Sequence, residues 1–165
     1  HKDAGHRSMG CNSCHVAHRY DVGHAAVEAC MDCHSDRHTL AYSDSPHYGL
    51  WQKEQRGELP AGSGVSCATC HMPRIEYDVR DWLTRVMVDH NQSATLSPNS
   101  GMIRSACLQC HGLEFSIDAL ADQQLHDSNF AGRPSVPVPP RDRAAADLER
   151  RDSEAGYDAT SLVGV

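Results

Sequence analysis

The sequence predicts a mainly α-helical fold with extensive loops and little or no β-sheet, organised around something other than an ordinary apolar core. Only 39% of its 165 residues are hydrophobic and 5% are aromatic, which is little apolar side chain for a domain of this length. All eight cysteines fall in four copies of one short motif, and we see no long strand pattern. We therefore expect short helices and loops that pack against groups bound at those motifs.

The repeated motif is C-x-x-C-H, the attachment site of c-type haem. Its four copies occupy residues 11–15, 30–34, 67–71 and 107–111. Two residues between the cysteines let both sulfurs form thioethers with the vinyl groups of one porphyrin, and the next histidine then lies beneath the iron. The sequence thus predicts four covalent haem c groups, attached through Cys11, Cys14, Cys30, Cys33, Cys67, Cys70, Cys107 and Cys110.

Zinc and disulfides are the alternative uses of these cysteines. The fifteen residues between Cys14 and Cys30 fit the spacing of a zinc ribbon, and an even cysteine count in an exported chain often means disulfides. Neither alternative explains why a histidine follows the second cysteine four times, or why the chain has twelve histidines. Haem attachment is the interpretation that uses all of these residues.

The histidines are numerous enough to fill both axial positions of every iron. The motif histidines, predicted to be proximal ligands, are His15, His34, His71 and His111. The distal ligands that the sequence favours are His18, His38, His47 and His90. The first two closely follow a motif histidine, and the other two stand in long intervals between motifs, where a loop can return to an iron. The rivals that stay open are His1, His6, His24 and His126.

Two segments carry apolar residues at helical spacing and are predicted to be helices. They are residues 81–89 and residues 116–125. Residues 59–64, rich in glycine, are predicted to form a loop that delivers the third motif, and residues 97–101 a turn before the fourth.

Charge and hydropathy limit the class of partner and the location. The formal net charge of −7 argues against a nucleic-acid partner. No stretch approaches the roughly 20 apolar residues of a membrane span. The chain begins at His1 without an initiator methionine, and covalent haem attachment is completed outside the cytoplasmic membrane. We expect an extracellular or cell-surface protein, with the periplasm as the alternative.

The composition predicts two parts. Residues 1–131 hold all four motifs and form the predicted haem domain. Residues 132–165 contain no cysteine or histidine, begin with a proline-rich stretch and continue with a charged one. Because this tail has little apolar surface of its own, we expect it to be ordered by another surface, most of all that of a neighbouring copy.

The middle of the chain, about residues 34–130, resembles the multihaem superfamily that includes hydroxylamine oxidoreductase and the ammonia-forming cytochrome c nitrite reductases. The segments that carry the resemblance are GVSCATCHMPR at 64–74, DHNQ at 89–92, MIR at 102–104, HGL at 111–113 and SIDALAD at 116–122. The resemblance implies that His47 and His90 are distal ligands. It also implies haems in alternating parallel-stacked and perpendicular pairs.

The chain departs from those enzymes in three respects. They carry five or eight haems, whereas this chain has four motifs. The nitrite reductases often have lysine in place of the histidine of the catalytic haem motif, whereas all four motifs here have histidine. No tyrosine stands in the context of the one cross-linked to the active haem of hydroxylamine oxidoreductase. A small tetrahaem chain with spare histidines also resembles the subunits of extracellular cytochrome filaments, in which a histidine of one copy ligates a haem of the next.

The leading hypothesis is therefore an electron carrier and not an enzyme, with two histidines on each of four irons. The expected partners are further copies of the chain in a homo-oligomer or filament, other redox proteins, or extracellular electron acceptors. Two alternatives stay open. One is an oxidoreductase that acts on a small nitrogen or sulfur compound at one open haem, and the other is a haem subunit of a larger respiratory complex.

The haem count is directly measurable. We expect the pyridine haemochrome assay to give four haems per chain, because each complete motif attaches one. A stoichiometry of two or fewer, or zinc found by elemental analysis, would contradict the prediction.

Overall fold

A computed structural model of the chain describes residues 9–92, 95–96, 98–135 and 137–139. The rivals His1 and His6 and the tail beyond residue 139 lie outside these described residues. What the sequence predicts for them stays a prediction.

Short helices dominate the described residues, as predicted, and only two strands accompany them. The helices are α1 (Ala29–Met31), α2 (Arg37–Leu40), α3 (Pro46–Gln55), α4 (Cys67–His71), α5 (Gly101–Ser105), α6 (Leu113–Ala121) and α7 (Gln123–Asp127). A π-helical turn, His24–Glu28, leads into α1, and 3₁₀ turns lie at Cys11–Ser13, Ala41–Asp44 and Cys107–Gln109. The predicted fold class is confirmed.

Short polar side chains mark where several helices begin. A capping side chain accepts a hydrogen bond from a backbone N–H of the first turn in α2, α3, α4 and α7; the capping residues are Asp36, Ser45, Ser66 and Asp122. Such caps satisfy amides that have no partner inside the helix. Because these helices have few internal hydrogen bonds, their starting points depend on the caps.

The helix predicted for residues 116–125 exists but is divided. α6 ends at Ala121, and Asp122 adopts an extended conformation with φ −90° and ψ 103°. Its carboxylate accepts from the N–H groups of Gln124 and Leu125. Asp122 therefore ends one helix and caps the next.

Residues 81–89, predicted to be a helix, form instead the turn and the second strand of a β-hairpin. Strand β1 (Arg74–Arg80) pairs antiparallel with strand β2 (Leu83–Val88). The prediction was wrong because the apolar residues of β2 also fit helical spacing. The deciding interaction is cross-strand pairing with β1, where apolar and charged residues alternate.

The apolar core is small and lies between α5 and α6. Met102, Ile103, Ile117 and Leu120 form its buried centre, and Phe130 packs against it. This size agrees with the expectation that bound porphyrins supply much of the apolar surface. Across the described ranges, no helix is long and apolar enough to cross a membrane.

The beginning of the predicted tail contacts the chain's own helices. The Ser135 N–H and hydroxyl donate to the Asp122 carboxylate at 2.8 and 2.7 Å, and the Val138 N–H donates to Asp118 at 2.8 Å. The bonds from Ser135 are the main reason that the pKa of Asp122 falls to about 2. Contact with a neighbouring copy stays a prediction for the residues beyond 139.

The cap of α4 should be measurable as stability. Ser66→Ala removes the hydroxyl that accepts from the Thr69 N–H, whereas the bond from the residue 66 backbone N–H to the Thr69 hydroxyl stays. The loss should lower the free energy of unfolding of the haem-loaded protein by about 1 kcal/mol. Urea unfolding followed by circular dichroism measures this. The control is Ser43→Ala, at an exposed serine whose hydroxyl reaches the Leu40 carbonyl at 3.4 Å. Equal losses in the two variants would show that the cap does not fix α4.

Candidate functional site

Each C-x-x-C-H motif folds as one helical turn. In the first, second and fourth motifs, the histidine N–H donates to the carbonyl of the first cysteine at 2.9, 2.9 and 2.8 Å, and the third motif is α4 itself. Residues at i, i+3 and i+4 of such a turn share one face. Both cysteines and the histidine of a motif therefore face the same side, as attachment to one porphyrin requires. None of the eight cysteines is in a disulfide.

The loop before the third motif is tied to α3. The backbone N–H groups of Gly62 and Gly64 donate to the two carboxylate oxygens of Glu54. A Cβ at Gly64 would lie 3.0 Å from the Trp51 Cα, so this close approach requires glycine. The loop predicted at residues 59–64 thus delivers the motif to a fixed place, where Ser66 caps it.

Each motif adjoins the next one in sequence through a pair of neighbouring cysteines. Burial, and next the neighbouring Cys30, raise the pKa of Cys14, so the first motif adjoins the second. A hydrogen bond between the Cys30 and Cys67 thiols lowers the pKa of Cys30 and joins the second motif to the third. Burial raises the pKa of Cys70 to about 12, and Cys107 is the next cause, so the third adjoins the fourth. The motifs form a continuous row.

Three motif histidines each face a histidine from elsewhere in the chain. The pairs are His15 with His90, His38 with His71, and His47 with His111. In every pair the ring centroids are 6.2 Å apart, whereas the ring planes are inclined by 49°, 81° and 64° respectively. The structure therefore brings together three of the four predicted distal histidines with motif histidines.

The spacing of these pairs fits a metal held between two rings. Metal–imidazole bonds are about 2 Å long, so two imidazoles that bind one metal from opposite sides place their centroids about 6 Å apart. The same separation recurs at three sites with different ring inclinations, which favours one common cause. No group of three or more histidine, cysteine or acidic side chains within the described ranges forms a metal site by itself.

Hydrogen bonds set the tautomer of two of the non-motif histidines. His38 Nδ1 donates to the His126 carbonyl at 2.7 Å, and His90 Nδ1 donates to the Val88 carbonyl at 3.0 Å. Because the proton is on Nδ1, the lone pair is on Nε2, where it can bind a metal. The hairpin thus orients His90, and the end of α7 orients His38.

Burial keeps two further imidazoles neutral. It lowers the pKa of His47 and of His71, and the facing ring of each pair is the next cause. A histidine with a lowered pKa is uncharged at physiological pH. The uncharged imidazole is the form that ligates a metal.

The other candidate histidines are not members of these pairs. His18 is exposed in a turn with a φ of 63°, and the described residues place no motif histidine at its ring. His24 Nδ1 lies 2.9 Å from the Glu28 carboxylate. His126 has a buried Nε2 that meets no hydrogen-bond partner in the part of the chain that the structure describes.

Phe130 is a site residue that sequence reasoning missed. Its ring centroid lies 6.0 Å from that of His38, 6.3 Å from that of His47 and 5.2 Å from that of His126. It therefore stands beside two of the three histidine pairs. No local pattern marks it, because the contacts come from α2, α3 and α7 and depend on the fold.

A cavity of about 610 Å³ opens beside the fourth motif. The residues that line it include His111, Phe115, Gly132, Arg133, Pro134 and Pro137. The Phe115 ring stacks on His111 with centroids 4.8 Å apart. The start of the tail thus forms one wall of the space next to a motif histidine, where a flat apolar group would be covered.

Comparison with known proteins identifies the family of the chain. The sequence model of the cytochrome c552 family matches residues 37–129, which include the third and fourth motifs together with His38, His47 and His90. No curated protein and no solved structure matches the chain. The family match spans more than half of the sequence and implies covalent haem c and electron transport. The chain belongs to the cytochrome c552 family.

Proposed function

We propose that the chain is an electron-transfer protein that binds four haem c groups. The two cysteines of one C-x-x-C-H motif attach each group, and the motif histidine and a second histidine ligate its iron. The observation that carries this proposal is the set of three imidazole pairs at one common separation of 6.2 Å. Each pair combines a motif histidine with a histidine from a different part of the chain. The distal ligand of the iron at His34 stays open among His1, His6, His18, His24 and His126.

The histidine pairs favour electron transfer over catalysis. Haem c supplies the reversible one-electron chemistry of its iron. Two imidazoles occupy both axial positions, so a small substrate has no place to bind the metal. The neutral His47 and His71 match this role, because burial opposes their protonation.

The row of motifs supports a continuous electron path. The first motif adjoins the second at Cys14 and Cys30, the second adjoins the third at Cys67, and Cys70 adjoins the fourth at Cys107. Porphyrins attached to adjoining motifs would be near neighbours. We propose that electrons pass along the chain in the order of the motifs.

The β-hairpin supports association with further copies. Tyr77, Val79, Trp82, Val86 and Met87 are all more than half exposed, and Trp82 at the turn is 76% exposed. A two-stranded hairpin is marginally stable by itself, and exposed apolar patches mark interaction sites. The strands extend about 20 Å from the end next to His90, so the tip is remote from the histidine pairs.

We assign this surface to a second copy of the chain, in an extracellular or cell-surface filament. β1 alternates apolar residues with charges of both signs, Arg74, Glu76, Asp78 and Arg80. Successive side chains of a strand point to opposite faces, so these charges line one face and the apolar residues the other. A face that carries charges of both signs matches another copy of itself better than a partner of one strong charge. Other redox proteins or extracellular acceptors would then exchange electrons with the ends of the assembly.

The ligand assignment predicts changes in spin state. His38→Gly, His47→Gly and His90→Gly should each convert one low-spin iron into a high-spin one, because each removes one axial ligand. Electron paramagnetic resonance of the ferric protein and optical spectra measure this. Free imidazole added to each variant should restore the low-spin state, which separates loss of a ligand from misfolding. Spectra identical to those of the native protein would show that the ligands are different histidines.

The assembly prediction concerns the hairpin. Trp82→Ser combined with Val86→Ser should abolish association and leave the haem spectra unchanged, because the tip is remote from the histidine pairs. Sedimentation at high protein concentration and electron microscopy measure association. Tyr20→Ser is the matched control, since Tyr20 is 94% exposed and lies outside the hairpin. A native protein that sediments as a monomer, or a double variant that assembles normally, would contradict the filament proposal.

A further inference from the structure

The end of α7 and the turn that follows it surround His38 with three residues. The His126 carbonyl accepts a hydrogen bond from His38 Nδ1 at 2.7 Å. The Asn129 side-chain amide donates to the His38 carbonyl at 3.0 Å and lies 3.2 Å from His38 Nε2. The Phe130 ring meets the His38 ring edge-on, with an interplanar angle of 85°.

The backbone of this turn is unusual. Asn129 and Phe130 have φ values of 49° and 60°, a left-handed conformation that non-glycine residues seldom adopt, least of all two in succession. The Phe130 N–H donates to the Leu125 carbonyl at 2.8 Å, which closes the turn on α7. Asn129 is only 8% exposed. The strained conformation points both side chains at His38.

The contacts act on the orientation of the ring as well as on its position. When Nε2 binds iron, its lone pair no longer accepts, and the Asn129 amide retains its bond to the His38 carbonyl. The bond from Nδ1 to the His126 carbonyl limits rotation of the ring about its bond to Cβ, the Asn129 amide holds the His38 backbone from which the ring projects, and Phe130 blocks one side of the ring. Groups that surround a ligating histidine in this way set the orientation of its imidazole plane.

We propose that the turn formed by Asn129 and Phe130 is a positioning element that holds the imidazole plane of His38 nearly perpendicular to that of His71. The inference rests on the proposed function, because it takes both histidines as ligands of one iron. The 81° between these rings distinguishes the pair from the other two, at 49° and 64°. Phe130 lies outside the segment that matches the family, residues 37–129.

Ring inclination has an electronic consequence. Parallel imidazoles donate into the same iron d orbital and separate it in energy from its partner. Perpendicular imidazoles donate into different orbitals and leave the two nearly equal in energy, which increases the largest principal g value of a low-spin ferric iron. The His38–His71 iron should therefore give the highest g value among the three pairs.

The test is electron paramagnetic resonance of the haem-loaded full chain. Asn129→Gly removes the amide and keeps the left-handed backbone, which glycine adopts freely, while Phe130→Leu removes the aromatic wall. Both variants should stay low-spin and lose the highest-g signal. A new signal should appear, with a largest g value closer to those of the two tilted pairs. The control is Ser43→Ala, at an exposed serine whose hydroxyl bonds only the Leu40 carbonyl, and it should leave every g value unchanged.

Two results would overturn the proposal. One is a highest-g signal that is unchanged in both variants, and the other is a high-spin iron in Asn129→Gly, which would mean that the turn retains the ligand and does not orient it. The variant His38→Gly separates this proposal from the ligand assignment. If it creates no high-spin iron, His38 is not a ligand and the proposed function fails at this pair; if it does, only the role of the turn is in question.

Discussion

The structure depends on one constraint, the common distance between the two imidazoles of each histidine pair. The three pairs join residues that are far apart in sequence, and each has the same centroid separation of 6.2 Å. This distance places α2 and α3 against the third and fourth motifs and brings the end of the hairpin to the first. The elements are arranged around the pairs, and the apolar core fills only the space between α5 and α6.

The shortness of the helices follows from the same constraint. Isolated helices of three to ten residues are not stable in water, so these helices depend on what they pack against. Caps fix where α2, α3, α4 and α7 begin. Ligation would close the long loops between the paired histidines, and the gain in stability would be greatest for the histidines farthest apart in sequence. A chain with 39% hydrophobic residues can then hold a defined shape, because bound groups replace the missing core.

The sequence predicted the motifs, the mainly α class and the helix after the fourth motif, since all of these depend on local spacing. It failed at residues 81–89, where apolar residues fit helical spacing but pair with β1 as a strand. His47 and His90 were favoured as distal ligands because they lie in long intervals between motifs. The motif histidines that they face, His111 and His15, follow only from the fold. Asn129 and Phe130 carried no sequence signal, because their contacts with His38 join opposite ends of the matched region.

A density map of the haem-loaded protein tests the central claim most directly. The account predicts an iron between the rings of His15 and His90, between those of His38 and His71, and between those of His47 and His111. Each iron should carry a porphyrin joined to the cysteines of the adjacent motif. An iron with any other pairing, with a methionine ligand or with an open axial position at one of these three sites would contradict the account.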